Sequence, residues 1–369
     1  MSTPASGLVE GSFPVTPHPA PASDAERARR LDNPPFGVHF TDHLVRASWR
    51  HGEGWSGRRV EPFDDLRVHP AATGLNYGQQ IFEGMKAYRW DDGRVALFRP
   101  DANASRFAAS ARRLALPEMS EEDFIGSLEA LLAVDRAWVS SAPDASLYLR
   151  PLLFGSEPWL AVRPSRWAEY VLIASPVGPY FPTGVKPVSI WVSQGHHRAS
   201  LGGTGTAKAG GNYGAAMLPT LEAEAHGCGQ VLFLDARTDT FIEELGAMNI
   251  LIVMRDGSVV TPRLTGTILE GVTRESVLAI LRDEGRTVVE RDVALEELRG
   301  GIEDGTVAEV FACGTAAAIL PVGRLVSPAF DVRVSGGEPG AVTMGVRERL
   351  LGIQYGRVED SFGWMRVVT

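Results

Sequence analysis

Gly202-Gly203-Thr204-Gly205-Thr206-Ala207-Lys208-Ala209-Gly210-Gly211-Asn212-Tyr213-Gly214 sets one lysine in a glycine-rich loop that carries no other charge. Lysine stands at only two further positions, Lys86 and Lys186; every other one of the 36 basic residues is arginine. A nucleophilic amine therefore has few candidates. An exposed lysine titrates near ~10.4, and burial without a counter-ion lowers that by up to roughly 3–5 units and frees the amine. A flexible surface turn would use the same glycines, so the loop alone leaves both readings open.

Outward from the loop, the second half reads as strand 188–192, helix 213–225, strands 230–234, 241–244 and 249–254, and a helix from Gly271 to about 283. A strand over 287–293, a short helix near Leu295, strand 308–311, the turn Cys313-Gly314-Thr315-Ala316 and a helix from Ala341 follow. The first half reads as strands 38–49, 58–68 and 95–98, with Asp91-Asp92-Gly93 as a hairpin turn. Then come helix 102–114, a helix opened by the cap and acidic turn Ser120-Glu121-Glu122-Asp123, and strands 146–154 and 170–174. The mixture is α/β or α+β, and a length of 369 residues suits two domains. Three prolines and two glycines between Ser175 and Gly184 mark the boundary. The expected division is a flexible tail at 1–24, a smaller N-terminal α/β domain at 25–175, an interdomain loop at 176–187 and a larger C-terminal domain at 188–369.

A net charge of −9 without a basic stripe argues against a nucleic-acid partner, and no apolar run approaches the ~20 residues of a membrane span. The first 24 residues hold no lysine or arginine, which argues against a signal peptide. Two distant cysteines, Cys228 and Cys313, fit a reducing cytoplasm, and His196-His197 reads as a loop feature with no metal expected.

Phosphate recognition needs backbone N–H groups at a helix N-terminus, a hydroxyl and a cation. Gly271-Val272-Thr273-Arg274 opens a helix, Gly314-Thr315-Ala316 is a small turn with a hydroxyl, and Arg106 sits beside the apolar face of its helix. Each alone is better explained as a plain helix start or turn, and an exposed helix arginine as merely solvated. Glu243 and Glu244 end an apolar segment, where a buried carboxylate is costly unless paired. A protonated ring nitrogen would be such a partner. Lysine, phosphate cradle, carboxylate and Tyr213 five residues after the lysine together describe a pyridoxal 5'-phosphate site.

Taken with Phe36-Gly37, Phe82-Glu83-Gly84-Met85-Lys86-Ala87-Tyr88, Leu147-Tyr148-Leu149-Arg150-Pro151, Lys208-Ala209-Gly210-Gly211-Asn212-Tyr213, Glu244-Leu245-Gly246-Ala247-Met248-Asn249 and Gly314-Thr315-Ala316, the chain from about Phe36 onward resembles the branched-chain amino acid aminotransferases. These are class IV enzymes of pyridoxal-phosphate fold type IV, the D-amino-acid aminotransferase-like architecture. The resemblance implies that Lys208 carries the cofactor as a Schiff base and moves the proton. It implies that Glu244 pairs with the ring nitrogen, that Tyr213 bonds the ring hydroxyl, and that Arg106, Val272, Thr273 and Thr315 hold the phosphate. Ala247 and Ala316 would offer backbone N–H groups, and Tyr77 would meet the substrate carboxylate. Phe36, Phe82, Tyr148, Leu160 and Val162 would form the apolar pocket, and Arg150 would favour the distal carboxylate of glutamate. Tyr77, Leu160 and Val162 would come from a neighbouring subunit, making a homodimer the smallest complete unit. The implied reaction is reversible, ping-pong transfer of an amino group between L-leucine, L-isoleucine or L-valine and 2-oxoglutarate.

Alanine at 247 replaces the threonine of many relatives, and no Cys-x-x-Cys follows Thr315, so no thiol switch is expected at Cys313. A D-amino-acid aminotransferase or an aminodeoxychorismate lyase is the alternative within the fold type. A nucleotide-binding protein is the alternative outside it, although the loop has neither P-loop spacing nor a Ser/Thr after its lysine.

Overall fold

The computed structural model describes residues 13–181 and 184–368. It is mixed α/β and separates into two compact units, Met1–Pro179 with Ser361–Thr369, and Tyr180–Asp360. The two are nearly equal in length, where the sequence reading expects a smaller and a larger domain and keeps 361–369 with the second. Strand Met365–Val368 instead pairs antiparallel with Val95–Phe98 and belongs to the first unit.

The first unit's sheet runs Met365–Val368, Val95–Phe98, Met85–Arg89, Ser146–Gly155, Trp167–Val177, His43–Arg50, Gly54–Pro62, with Gln80–Phe82 also beside Ser146–Gly155. All these pairings are antiparallel. Helix Glu121–Asp135 covers it by burying Phe124, Leu128, Leu131 and Leu132, at the three-to-four residue spacing of one helical face. Its start is capped as expected, the Ser120 hydroxyl accepting the Asp123 N–H at 3.1 Å. Strand Trp167–Val177 carries the pairing through Ser175 and Pro176 to Val177, so the chain leaves this unit at Pro179, later than its prolines suggested.

The expected flexible tail at 1–24 is corrected over its described part; residues 1–12 lie outside the described residues. Phe13 is buried in the first core, and Pro14 to Thr16 hydrogen-bond to Val60 on the edge strand at 2.9 Å each. The Ala22 N–H then donates to Asp42 at 2.8 Å. A proline-rich segment has little ordering entropy left to lose, so one buried aromatic ring and a few backbone bonds suffice to hold it.

The second sheet runs Ile242–Leu245, Gln230–Leu234, Val188–Val192, Ala318–Val326, Val307–Gly314, Asn249–Met254, Val259–Pro262, Val288–Arg291, with Asp331–Arg333 also beside Ala318–Val326. It is mixed, Val188–Val192 being parallel to both its neighbours. Ala318–Val326 was not foreseen. It is central and nearly all buried, so it reads as a continuous apolar run without the alternation that marks a strand. No helix among the described residues is long and apolar enough to cross a membrane.

Phe13→Ala should destabilise the protein by about 3 kcal/mol through lost burial and the cavity left behind. Urea unfolding measures it, and a change below about 0.5 kcal/mol would show that the segment contributes nothing to the core.

Candidate active site

In the second unit, Lys208 stands just before Ala209, the N-cap of the short helix Gly210–Gly214, and its Nζ donates to the Tyr213 hydroxyl at 2.8 Å. The five-residue spacing brings the two side chains together across one turn. The loop is tied rather than loose. Buried Asn212 donates to the carbonyls of Thr204 at 2.8 Å and Ala207 at 2.9 Å, and the Thr204 hydroxyl donates back to Asn212 at 2.7 Å. A Cβ on Gly205 would lie 2.4 Å from the Thr267 carbonyl oxygen, so only glycine lets these backbones meet. Glycine is needed at 205 to pack backbone on backbone, whereas a Cβ on Gly211 or Gly214 would meet nothing within 4 Å.

Strand Ile242–Leu245 sends successive side chains to opposite faces, which separates its two glutamates. Glu243 lines a cavity of about 510 Å³ with Phe241, Thr267 and Ile268, and accepts the Thr267 hydroxyl. Lys208, Tyr213 and Glu244 do not line that cavity. Glu244 is buried against Arg198, whose guanidinium lies 2.6 Å from its Oε1. The Leu269 N–H donates to the same oxygen at 2.9 Å, and the Asn249 amide lies 3.4 Å from Oε2. Burial pushes the Glu244 carboxyl up to about 7, although Arg198, the Leu269 N–H and the charge of Lys208 all hold it down. Burial likewise pushes Glu243 up.

Asn249 also donates to the Leu269 carbonyl at 3.1 Å, and a Cβ on Gly271 would fall 2.1 Å from its Oδ1. Gly271 is the N-cap of helix Val272–Asp283 and supplies no side-chain cap, so Val272 and Thr273 form the first turn without a capping side chain. Strand register pairs Asn249 with Cys313, which sets the turn at Ala247 beside the turn at Thr315 and Ala316. A Cβ on Gly314 would lie 3.3 Å from the Ala247 carbonyl oxygen. Burial pushes the Cys313 thiol up to about 12, the opposite of what a reactive thiolate needs.

The first unit holds the remaining candidates in three groups. Arg106 makes a bidentate pair with buried Glu83, at 2.7 and 2.8 Å, and Asn103 donates to the same carboxylate at 2.8 Å. Phe36, Phe82, Tyr148 and Arg150 gather as a second group. The rings of Phe36 and Tyr148 are 4.9 Å apart, the Arg150 guanidinium lies 4.6 Å over Phe82, and it donates to the Tyr148 hydroxyl at 2.9 Å. A Cβ on Gly84 would sit 2.0 Å from that hydroxyl, which explains the glycine in Phe82-Glu83-Gly84. In the third group the Tyr77 hydroxyl donates to the Leu160 carbonyl at 2.7 Å, and Tyr77, Leu160 and Val162 are 45%, 64% and 85% exposed.

Sequence reasoning missed Arg198, Asn212, Asn249, Thr267 and Glu83. For Arg198 a signal existed, since it is the one arginine between Ser193 and Lys208. The polar partners of a backbone carbonyl leave no such mark. His196 and His197 have acidic neighbours after all, Glu222 at 3.6 Å and Asp239 at 2.8 Å, brought in by folding.

The second unit's donor set fits pyridoxal phosphate: an amine beside a phenol, a buried carboxylate for a ring nitrogen, and a helix start without a capping side chain near a threonine turn for a phosphate. The family model described as Amino-transferase class IV matches residues 80–325. A branched-chain-amino-acid aminotransferase of Mycobacterium tuberculosis is 49% identical over 349 residues, covering 94% of this chain and 95% of that protein. The crystal structure of the Escherichia coli branched-chain amino acid aminotransferase superposes with a TM-score of 0.73 at 27% identity, covering 88% of this chain and 100% of the other. The T.th. branched-chain amino acid aminotransferase, complexed with N-(5'-phosphopyridoxyl)-L-glutamate, gives a TM-score of 0.71 at 27% identity and covers 88% of this chain and 98% of the other. The chain belongs to the branched-chain aminotransferase family of the class IV aminotransferases, with the fold type IV architecture.

Proposed function

We propose that this chain transfers an amino group reversibly between L-leucine, L-isoleucine or L-valine and 2-oxoglutarate, with pyridoxal 5'-phosphate held at Lys208. The observation that carries the reading is the Lys208 amine, 2.8 Å from a phenol in a tied loop, with buried Glu244 close enough for their charges to interact. When bound, the cofactor supplies a carbonyl that takes the amino group and a ring that accepts the electron pair left at the substrate Cα.

Lys208 holds the cofactor and moves the proton at its Nζ. Tyr213 donates toward the ring hydroxyl and orients the amine. Glu244, charged, keeps the ring nitrogen protonated. The backbone of Val272 and Thr273 and the Thr315 hydroxyl bind the phosphate; in the first unit, Glu83 holds the Arg106 guanidinium in one plane, as a phosphate-binding cation requires. Phe36, Phe82 and Tyr148 pack the branched side chain. Arg150 supports the glutamate half-reaction, because its buried Nε lacks a hydrogen-bond partner among the described residues and suits a carboxylate. The backbone at Ala247 and Ala316 meets the substrate carboxylate. The exposed group of Tyr77, Leu160 and Val162 would complete the site of a second copy in a homodimer. Two free, buried cysteines fit the cytoplasm as its compartment.

Lys208→Ala should abolish the visible band of the bound cofactor and lower kcat by at least roughly 10²–10⁴-fold, the range for a lost acid–base group. Lys86→Arg should keep both, and activity with D-alanine but not L-leucine would overturn the substrate assignment.

Glu244 also makes the cofactor-free protein pH-sensitive. Its carboxyl titrates at about 7 when folded against an ordinary 4.5, so the folded chain binds that proton more tightly than the unfolded chain does. Stability from this group is therefore lost as pH rises from 4.5 to about 7 and is level above. Between pH 5 and pH 8 the cofactor-free protein should lose about 3 kcal/mol more in urea unfolding than Glu244→Gln does. Equal losses would show that Glu244 keeps an ordinary carboxyl in the folded chain.

A further inference from the structure

We propose that Arg198 is a positioning residue for the reaction: it occupies one carboxylate oxygen of Glu244 and leaves the other to meet the ring nitrogen of the cofactor. This rests on the role given to Glu244 above. Arg198 is 6% exposed, and its guanidinium NH2 group contacts Glu244 Oε1 at 2.6 Å, the Gly205 carbonyl at 3.2 Å and the Thr267 carbonyl. Oε1 thus lies in an ion pair with a guanidinium and accepts from the Leu269 N–H, whereas the donor to Oε2 is Asn249 at 3.4 Å, too long for a strong bond. The two oxygens are inequivalent by construction.

The same guanidinium reaches the loop three residues before Lys208, so one side chain fixes the carboxylate relative to the backbone that carries the amine. Charge points the same way. The charged or titratable groups that act on Glu244 are Arg198, Lys208, Glu243 and the Cys313 thiol. Lys208 changes protonation during turnover, and the buried thiol and Glu243 offer no positive charge. Arg198 cannot be deprotonated, so among the described residues it is the constant cation beside a carboxylate that must stay ionised. A guanidinium that merely stapled the loop would need only the carbonyls of Gly205 and Thr267.

The test compares holoenzymes carrying Arg198→Gln, Arg198→Lys, Glu244→Gln and the Arg198→Gln/Glu244→Gln pair. Three quantities are read: the rate at which the coloured cofactor is lost on dialysis, the pH dependence of its visible band, and the acid limb of the kcat profile. Arg198→Gln should speed cofactor loss about tenfold and move both pH transitions up by about one unit. Arg198→Lys keeps the charge and should hold those transitions within about half a unit. The double variant should lose cofactor no faster than Glu244→Gln alone. Multiplying effects in the double variant, or unmoved pH transitions in Arg198→Gln, would overturn the proposal. Should Arg198→Gln fail to fold, Arg198→Met with and without Glu244→Gln carries the same non-additivity test. If Glu244→Gln leaves cofactor binding and spectrum unchanged, the role of Glu244 itself fails; if only the arginine variants are silent, the role of Arg198 fails alone.

Discussion

A carboxylate removed from water is the constraint around which the second unit is arranged. Leaving Glu244 charged inside an apolar strand costs several kcal/mol, and the structure offsets this with one guanidinium and one backbone N–H on the same oxygen. Each partner belongs to a different stretch of chain: Arg198 precedes the lysine loop, Leu269 precedes the helix start at Gly271, and Asn249 opens the next strand in sequence. Satisfying a single side chain therefore draws together the segments that carry the lysine, the helix N-terminus and the threonine turn.

Close backbone contact does the rest. Gly205 lies against Thr267 and Gly271 against Asn249, and in each case a side-chain carbon would collide at well under 3 Å. Such contacts leave little play, which suits a site whose atoms must be held to within a fraction of an ångström. In the first unit the Glu83 and Arg106 pair follows the same logic, with a fully buried carboxylate fixing a guanidinium through two parallel hydrogen bonds.

Much of this was legible in the sequence because the relevant signals are local. Lys208 and Tyr213 are five residues apart in one loop, Glu244 ends an apolar run, and Gly271 opens a periodic helix; each could be read without knowing what lay opposite. Arg198 was not legible, since its meaning depends on Glu244, 46 residues away. The strand Ala318–Val326 was missed because a strand buried at all but one position has no polar face to give it a period. Phe13 was missed for a related reason: proline-rich composition suggests disorder, but one ring finding a place beside Gly126 is decided by tertiary packing.

Strand Met365–Val368 closes the first sheet by pairing with Val95–Phe98, four residues whose side chains are all buried. During synthesis the ribosome makes Val95–Phe98 long before its partner emerges. Until then that strand presents an open row of backbone donors and acceptors beside an apolar face, the geometry that recruits a strand from another molecule. The nascent chain thus spends most of its translation time with its first sheet unfinished.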